Sequence, residues 1–200
     1  MIINEYIKNQ IQESIFVKQQ IMDDLQLINL INEVAALCIK SFNNGNKIIL
    51  AGNGGSAADA QHIAGELVSK FYFDRPGLNA ISLTTDTSII TAIGNDYGYE
   101  KLFERQIQAN GNVGDVFIGI STSGNSKNII LALEECKRKG IKTIGLTGER
   151  ECKMDELCDI AVKVPSSSTP NIQESHIMIG HIMCAIIEEQ IFGKGFEWKQ

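Results

Sequence analysis

Proline is scarce, with 3 residues in 200, and no stretch is rich in proline, glycine and serine together. No linker therefore divides the chain, and 200 residues fit one domain, or one domain with a helical extension. The cysteines are few, odd in number and widely spaced: Cys38, Cys136, Cys152, Cys158 and Cys184, without a C-x-x-C pair. That pattern argues against a disulfide framework and a four-cysteine zinc site, and for reduced cytosolic thiols. Positive charge is not in excess. Lys and Arg number 18 against 24 Asp and Glu, a net charge of −6. No global field draws nucleic acid or an anionic membrane, so an anionic ligand needs local donors. The strongest apolar stretch, within Ile177–Ile187, is broken by Gly180 and His181 and is too short to span a bilayer. Met1-Ile2-Ile3-Asn4-Glu5 has no basic segment leading into an apolar run, so it does not read as a signal peptide. The expectation is a cytoplasmic protein with neither nucleic acid nor membrane as partner.

What is present is an ordinary globular composition, 44% hydrophobic and 21% charged. Residues 2–44 read as helix. Ile3, Ile7, Ile11 and Ile15 recur every four residues; Leu27/Ile28, Ile31, Val34/Ala35 and Cys38 continue the spacing, and Gly45 stops it. The first stripe is wide and lies outside any strand pattern, so a partner subunit is the expected cover. From Lys47 strands and helices alternate. Strands are expected at Lys47–Ala51, Leu78–Leu83, Val116–Ile120, Lys142–Leu146 and Ile160–Val164. Helices are expected at Ala57–Lys70, Ser88–Asn95, Lys101–Ala109, Lys127–Lys139 and 171–192. Apolar strands that do not alternate, each followed by a helix, predict a parallel sheet covered on both faces. The fold class is α/β, an open sandwich of about five strands. The divisions expected are an N-terminal helical segment 1–44, an α/β domain 45–192 and a tail 193–200 holding Trp198.

In such a sheet ligands bind beyond the carboxyl ends of the strands, where two loaded turns fall. Gly52-Asn53-Gly54-Gly55-Ser56 allows close backbone approach, and Ser56 is placed to cap the next helix. It lacks the Lys-Ser/Thr of a Walker loop, and alone it reads equally well as a tight βα turn. Ser121-Thr122-Ser123-Gly124-Asn125-Ser126 offers four hydroxyls and an amide before a helix start. That is more than a helix cap uses, and it suits a phosphate held without Lys or Arg.

A third group lies on helices. His62 and Glu66 are four apart and share a face with Asp59. On the last helix Gln173 and His181 are eight apart, about 80° around the axis, while His176 falls on the far side and suits packing or capping. The residues alone leave open whether these groups meet in a metal or acid–base site.

Taken in order, Gly52–Ser56, His62 with Glu66, Gly94-Asn95-Asp96, Gly119–Ser126, Leu146-Thr147-Gly148 and Ile172-Gln173-Glu174 with His181 resemble the phosphoheptose isomerases of the sugar-isomerase (SIS) domain family. The resemblance spans nearly the whole chain. It implies a flavodoxin-like three-layer sandwich with N-terminal helices, assembled as a homotetramer. It implies interconversion of sedoheptulose 7-phosphate and D-glycero-D-manno-heptose 7-phosphate, the start of heptose supply for lipopolysaccharide core or capsule. By the same resemblance Asn53, Gly54, Gly55, Asn95, Asp96, Ser121, Thr122, Ser123 and Ser126 bind the phosphorylated seven-carbon sugar, together with Glu66 and Gln173. His62, Glu66, Gln173 and His181 hold one zinc ion (Zn2+), and Glu66 and His181 form the acid–base pair.

The chain departs from that family at Asn171, where arginine is usual, at Lys70, often arginine, and at Glu149–Cys152, where a glycine-rich loop is common. A SIS relative that binds the replication initiator DnaA is the alternative reading. It lacks equivalents of Glu66 and His181, which this chain keeps. Arabinose 5-phosphate isomerases usually add paired CBS domains, for which 200 residues leave no room.

Overall fold

The computed structural model describes residues 3–193, so Trp198 and most of the expected tail lie outside the described residues. The N-terminal helical run is two helices. Helix α1 (Ile3–Asp23) stops where Asp24 leaves helical geometry, and its carboxylate accepts from the Gln26 and Leu27 amides to start α2 (Leu25–Asn43). Gly45, at φ +76°, follows the end of α2 as expected.

The chain continues through β1 (Ile48–Gly52), α3 (Gly55–Val68), β2 (Ala80–Ser82) and α4 (Thr87–Tyr97). A 3-10 turn (Tyr99–Lys101) leads into α5 (Leu102–Asn110), then β3 (Val116–Ile120), α6 (Lys127–Lys139) and β4 (Lys142–Gly148). A four-residue helix α7 (Met154–Leu157), not foreseen from the pattern, precedes β5 (Ile160–Val164) and α8 (Thr169–Phe192). All four strand pairings are parallel and the order is β2-β1-β3-β4-β5. This is the flavodoxin-like order, and it reverses between β1 and β3, where a crevice opens beyond the strand ends.

Alternate strand residues feed two cores. Ile48, Leu50, Val116, Ile118, Ile144 and Leu146 pack beneath α2, α3 and α8. Ile49, Ala51 and Phe117 pack with Leu102, Ile107, Ile129 and Leu133 of α5 and α6 on the opposite face. Helix α2 is long and apolar enough to meet the composition of a membrane span. Its Leu27, Ile31, Val34 and Cys38 are buried in the first core. All five cysteines are free thiols. On α1 only Val17 and Ile21 are buried in the chain, while Ile3, Ile7, Ile11 and Ile15 are each about half exposed or more.

Candidate active site

Strand β1 delivers the chain to the first turn. A side chain at Gly52 would collide with the Ser56 carbonyl, and Gly54 takes φ +56°, so both glycines are required by the tightness of the turn. Gly54, not Ser56, is the N-cap of α3; Ser56 is buried within the helix, which corrects the expected capping role. The Asn53 side chain is committed to other elements. Its Nδ2 donates to Asn128 Oδ1 at 2.9 Å, Asn128 Nδ2 donates back to Asn53 Oδ1 at 2.8 Å, and the Tyr99 hydroxyl donates to the same oxygen at 2.8 Å. Asn128 is buried in the first turn of α6, so this amide pair ties the first turn to the second across the crevice.

The second turn leaves β3. Ser121 and Ser126 share a hydrogen bond at 2.9 Å, and Ser121 and Ser123 approach to 3.5 Å. Ser126 stands at the N-cap of α6; its carbonyl accepts from the Ile129 and Ile130 amides, and its hydroxyl does not cap the helix. Gly124, at φ +62°, leaves no room for a side chain against Cys152. Behind the turn a recess of about 210 Å³ is lined by Thr122, Ser123, Glu149, Arg150 and Ser166, among others. Arg150 thus brings a cation from the neighbouring loop to the edge of the turn. Sequence reasoning had marked that loop only as a departure.

Helices α3 and α8 pack side by side and bring the third group together. His62 Nε2 lies 2.9 Å from His181 Nε2 and 3.2 Å from Glu66 Oε1, and the two imidazole rings stand 5.0 Å apart. One ligand atom from each of the three residues falls within 4.8 Å of the others. His62 Nε2 thus stands between an imidazole nitrogen and a carboxylate oxygen. A cation satisfies all three donors at once, and two imidazole nitrogens with one carboxylate oxygen are a donor set zinc accepts, with a position left open. The residues present therefore fit the metal.

Gln173 comes from the same helix, α8, as His181. Its amide packs at the beginning of α3, where a Cβ on Gly55 would lie 2.7 Å from Nε2. Asn95 and Asp96 are exposed on α4 and bond to each other at 2.8 Å; among the described residues their side chains bond to neither turn. Asp59 does join the His62 side of α3. Burial raises its carboxyl, nearby His62 partly offsets this, and Oδ2 is buried without a hydrogen-bond partner. His176 is wholly buried and donates from Nε2 to the Thr147 carbonyl at 3.1 Å, the packing role expected of it. Burial pulls it down to about 4, against which the Thr147 contact works only weakly.

Residues 17–148 match the SIS domain family model. The chain is 66% identical to phosphoheptose isomerase 2 of Campylobacter jejuni, over 99% of this chain and 98% of that protein. It is 67% identical to the phosphoheptose isomerase of Aneurinibacillus thermoaerophilus, over 96% and 98%.

The chain belongs to the phosphoheptose isomerases of the SIS domain family.

Solved phosphoheptose isomerases share its fold. That of Neisseria gonorrhoeae superposes with a TM-score of 0.88 at 40% identity, covering 94% of this chain and 99% of the other. That of Francisella tularensis gives 0.90 at 37%, covering 94% and 100%. Members of this family are sugar-phosphate isomerases. Sequence reasoning missed Asn128, Tyr99 and Arg150. For Asn128 a signal existed, an amide beside the apolar pair Ile129-Ile130 in the first turn of a helix.

Proposed function

We propose that this protein interconverts sedoheptulose 7-phosphate and D-glycero-D-manno-heptose 7-phosphate, and so supplies heptose for lipopolysaccharide core or capsule from the cytoplasm. The observation that carries the reading is the meeting of His62, Glu66 and His181, whose two histidines are 119 positions apart in sequence. An aldose–ketose exchange moves one proton between adjacent carbons through an enediolate, so it needs a base near carbon and a partner for the oxygens. Glu66 takes the proton from carbon. His181 serves the hydroxyl and carbonyl oxygens. The phosphate rests on Ser121, Thr122, Ser123 and Ser126 and on the α6 amides, with Asn53, Gly54, Gly55, Asn95 and Asp96 along the sugar. These dipoles are short-range, which suits a chain of net charge −6.

His62, Glu66 and His181 would hold zinc, with Gln173 as the fourth ligand. Bound there, the metal supplies positive charge where the oxyanion develops. The α1 stripe of Ile3, Ile7, Ile11 and Ile15 is the surface on which further copies pack into a homotetramer. Light scattering at micromolar concentration checks this, and a stable monomer overturns it. The alternative, binding to the replication initiator, is disfavoured by the retained Glu66 and His181.

The deciding experiment assays the purified protein on sedoheptulose 7-phosphate with and without a chelator. Turnover lost with chelation and restored by zinc is the expected result. No turnover in either condition overturns the reading, and undiminished turnover after chelation removes the metal from it.

A further inference from the structure

Arg75 and Glu188 form a buried ion pair, Nε to Oε1 at 2.9 Å, with side chains 2% and 1% exposed. The acid–base chemistry proposed above does not use either group. A pair taken this far from water persists only when its remaining donors and acceptors are satisfied, and here they are spent on the end of α3, the helix that carries Glu66, and on the loop that follows it. Arg75 Nη2 donates to the backbone carbonyl of Glu66 itself at 2.8 Å. Arg75 Nη1 donates to the Leu67 carbonyl at 2.6 Å and the Ser69 carbonyl at 3.1 Å. These carbonyls stand where α3 ends at Val68, so the guanidinium faces the negative pole of the helix.

Glu188 binds that loop from the other side. Its carboxylate accepts from the Phe71 amide at 2.8 Å and the Tyr72 amide at 2.6 Å. Burial alone would raise this carboxyl; the two amides and Arg75 outweigh it and hold the group below its ordinary range. Phe71, fixed in this way, sets its ring 5.7 Å from that of His181, tilted by 35°. Glu188 stands seven residues after His181 on α8, two turns along the same face.

We infer that Arg75 and Glu188 are positioning residues of the isomerase, a buried strut that sets Glu66 through its own carbonyl and His181 through Phe71. This rests on the assignment of Glu66 and His181 as the acid–base pair. The strut touches neither of the two phosphate turns, so it should govern turnover and not phosphate affinity. Small misplacements of reacting groups cost rate steeply.

The test compares Arg75→Lys, Glu188→Gln and Phe71→Leu with the parent protein. Each is assayed on sedoheptulose 7-phosphate, and ring signals of the three histidines are followed by NMR in metal-free protein. The expected result is a fall in kcat of about tenfold or more with KM within about twofold, and movement of the His62 and His181 ring signals while His176 stays in place. Lysine at position 75 keeps the charge but not the forked donors, and should not restore kcat. Phe71→Leu leaves the ion pair intact, so it reports on the His181 arm even if both charged variants fail to fold. Folded variants with parental kcat and unmoved His62 and His181 signals overturn the inference, whatever their melting temperature. Loss of the His176 position along with the others also overturns it, because the role is then general packing. If the parent protein shows no isomerase activity, the functional reading has failed, and the ring signals still decide the strut.

Discussion

The Ser121–Ser126 turn and the His62–Glu66–His181 cluster are built in opposite ways. The turn takes its chemistry from six consecutive residues, and β3 and α6 on either side hold its shape. Its hydroxyls bond among themselves, Ser121 to Ser126 at 2.9 Å. The cluster takes single residues from two helices, and its His62–His181 contact joins positions 119 apart. Backbone amides and hydroxyls are fixed dipoles that suit a charge present throughout a reaction. Side chains with a titrating or ligating atom suit a charge or proton that moves. The contrast predicts that damage to the turn appears in KM and damage to the cluster in kcat.

The largest expected effect comes from the cluster. Glu66→Gln keeps shape and removes the base, so kcat should fall by roughly 10²–10⁴-fold with the fold retained. His181→Gln should behave alike. Steady-state assays that leave Glu66→Gln within about tenfold of the parent, roughly 1.4 kcal/mol of barrier, would remove Glu66 as the base and break the comparison.

A second test separates the two buried or half-buried histidines of α8. His176 is held neutral in the fold, at about 4 against an unfolded value of 6.5. Between those values the unfolded chain binds the extra proton, so stability is fully present above pH 6.5 and declines as pH falls toward 4. The loss attributable to this one group is roughly 3 kcal/mol, about 10²-fold in the folding equilibrium. Denaturant unfolding across that window should show a shallower decline for His176→Gln than for the parent. Equal slopes would mean that other groups set the acid limit.

The turn should give smaller effects. Ser123→Ala should raise KM about tenfold, the worth of one hydrogen bond to a charged group, with kcat preserved. Ser126→Ala should match it, because that hydroxyl bonds to Ser121 and does not cap α6. If the double variant binds sedoheptulose 7-phosphate with unchanged affinity, the turn is structural and the phosphate belongs at Asn53–Ser56.

The smallest effect concerns the bridge between the turns. Asn128→Asp replaces the Nδ2 donor with an oxygen facing Asn53 Oδ1. The loss of about 1 kcal/mol should appear as a KM rise of roughly fivefold. A KM equal to that of the parent would show that Asn53 is placed by its own backbone alone.

The parallel sheet and both turns were legible in the chain because their information is local. Continuous apolar strands of about five residues have no polar face to show, and the helices between them announce themselves by period and by glycine stops. β3, α6 and β5 fall on the expected residues. Where the reading erred, a local contact won over the pattern. Gly54 starts α3 ahead of Ser56 because the turn requires a positive φ there.

The sequence by itself determined the layered α/β architecture, the two glycine- and hydroxyl-bearing turns at the strand ends and the face shared by His62 and Glu66, since these depend on spacing along one element. Only the tertiary structure decided that His181 meets that face, that Gln173 lies at Gly55, that Asn128 bridges the turns and that Arg75 with Glu188 locks the loop beside them. Such pairings depend on how α3 packs against α8 and α6 against the first turn. That packing is set by the whole buried surface of both helices and is written in no single stretch of chain.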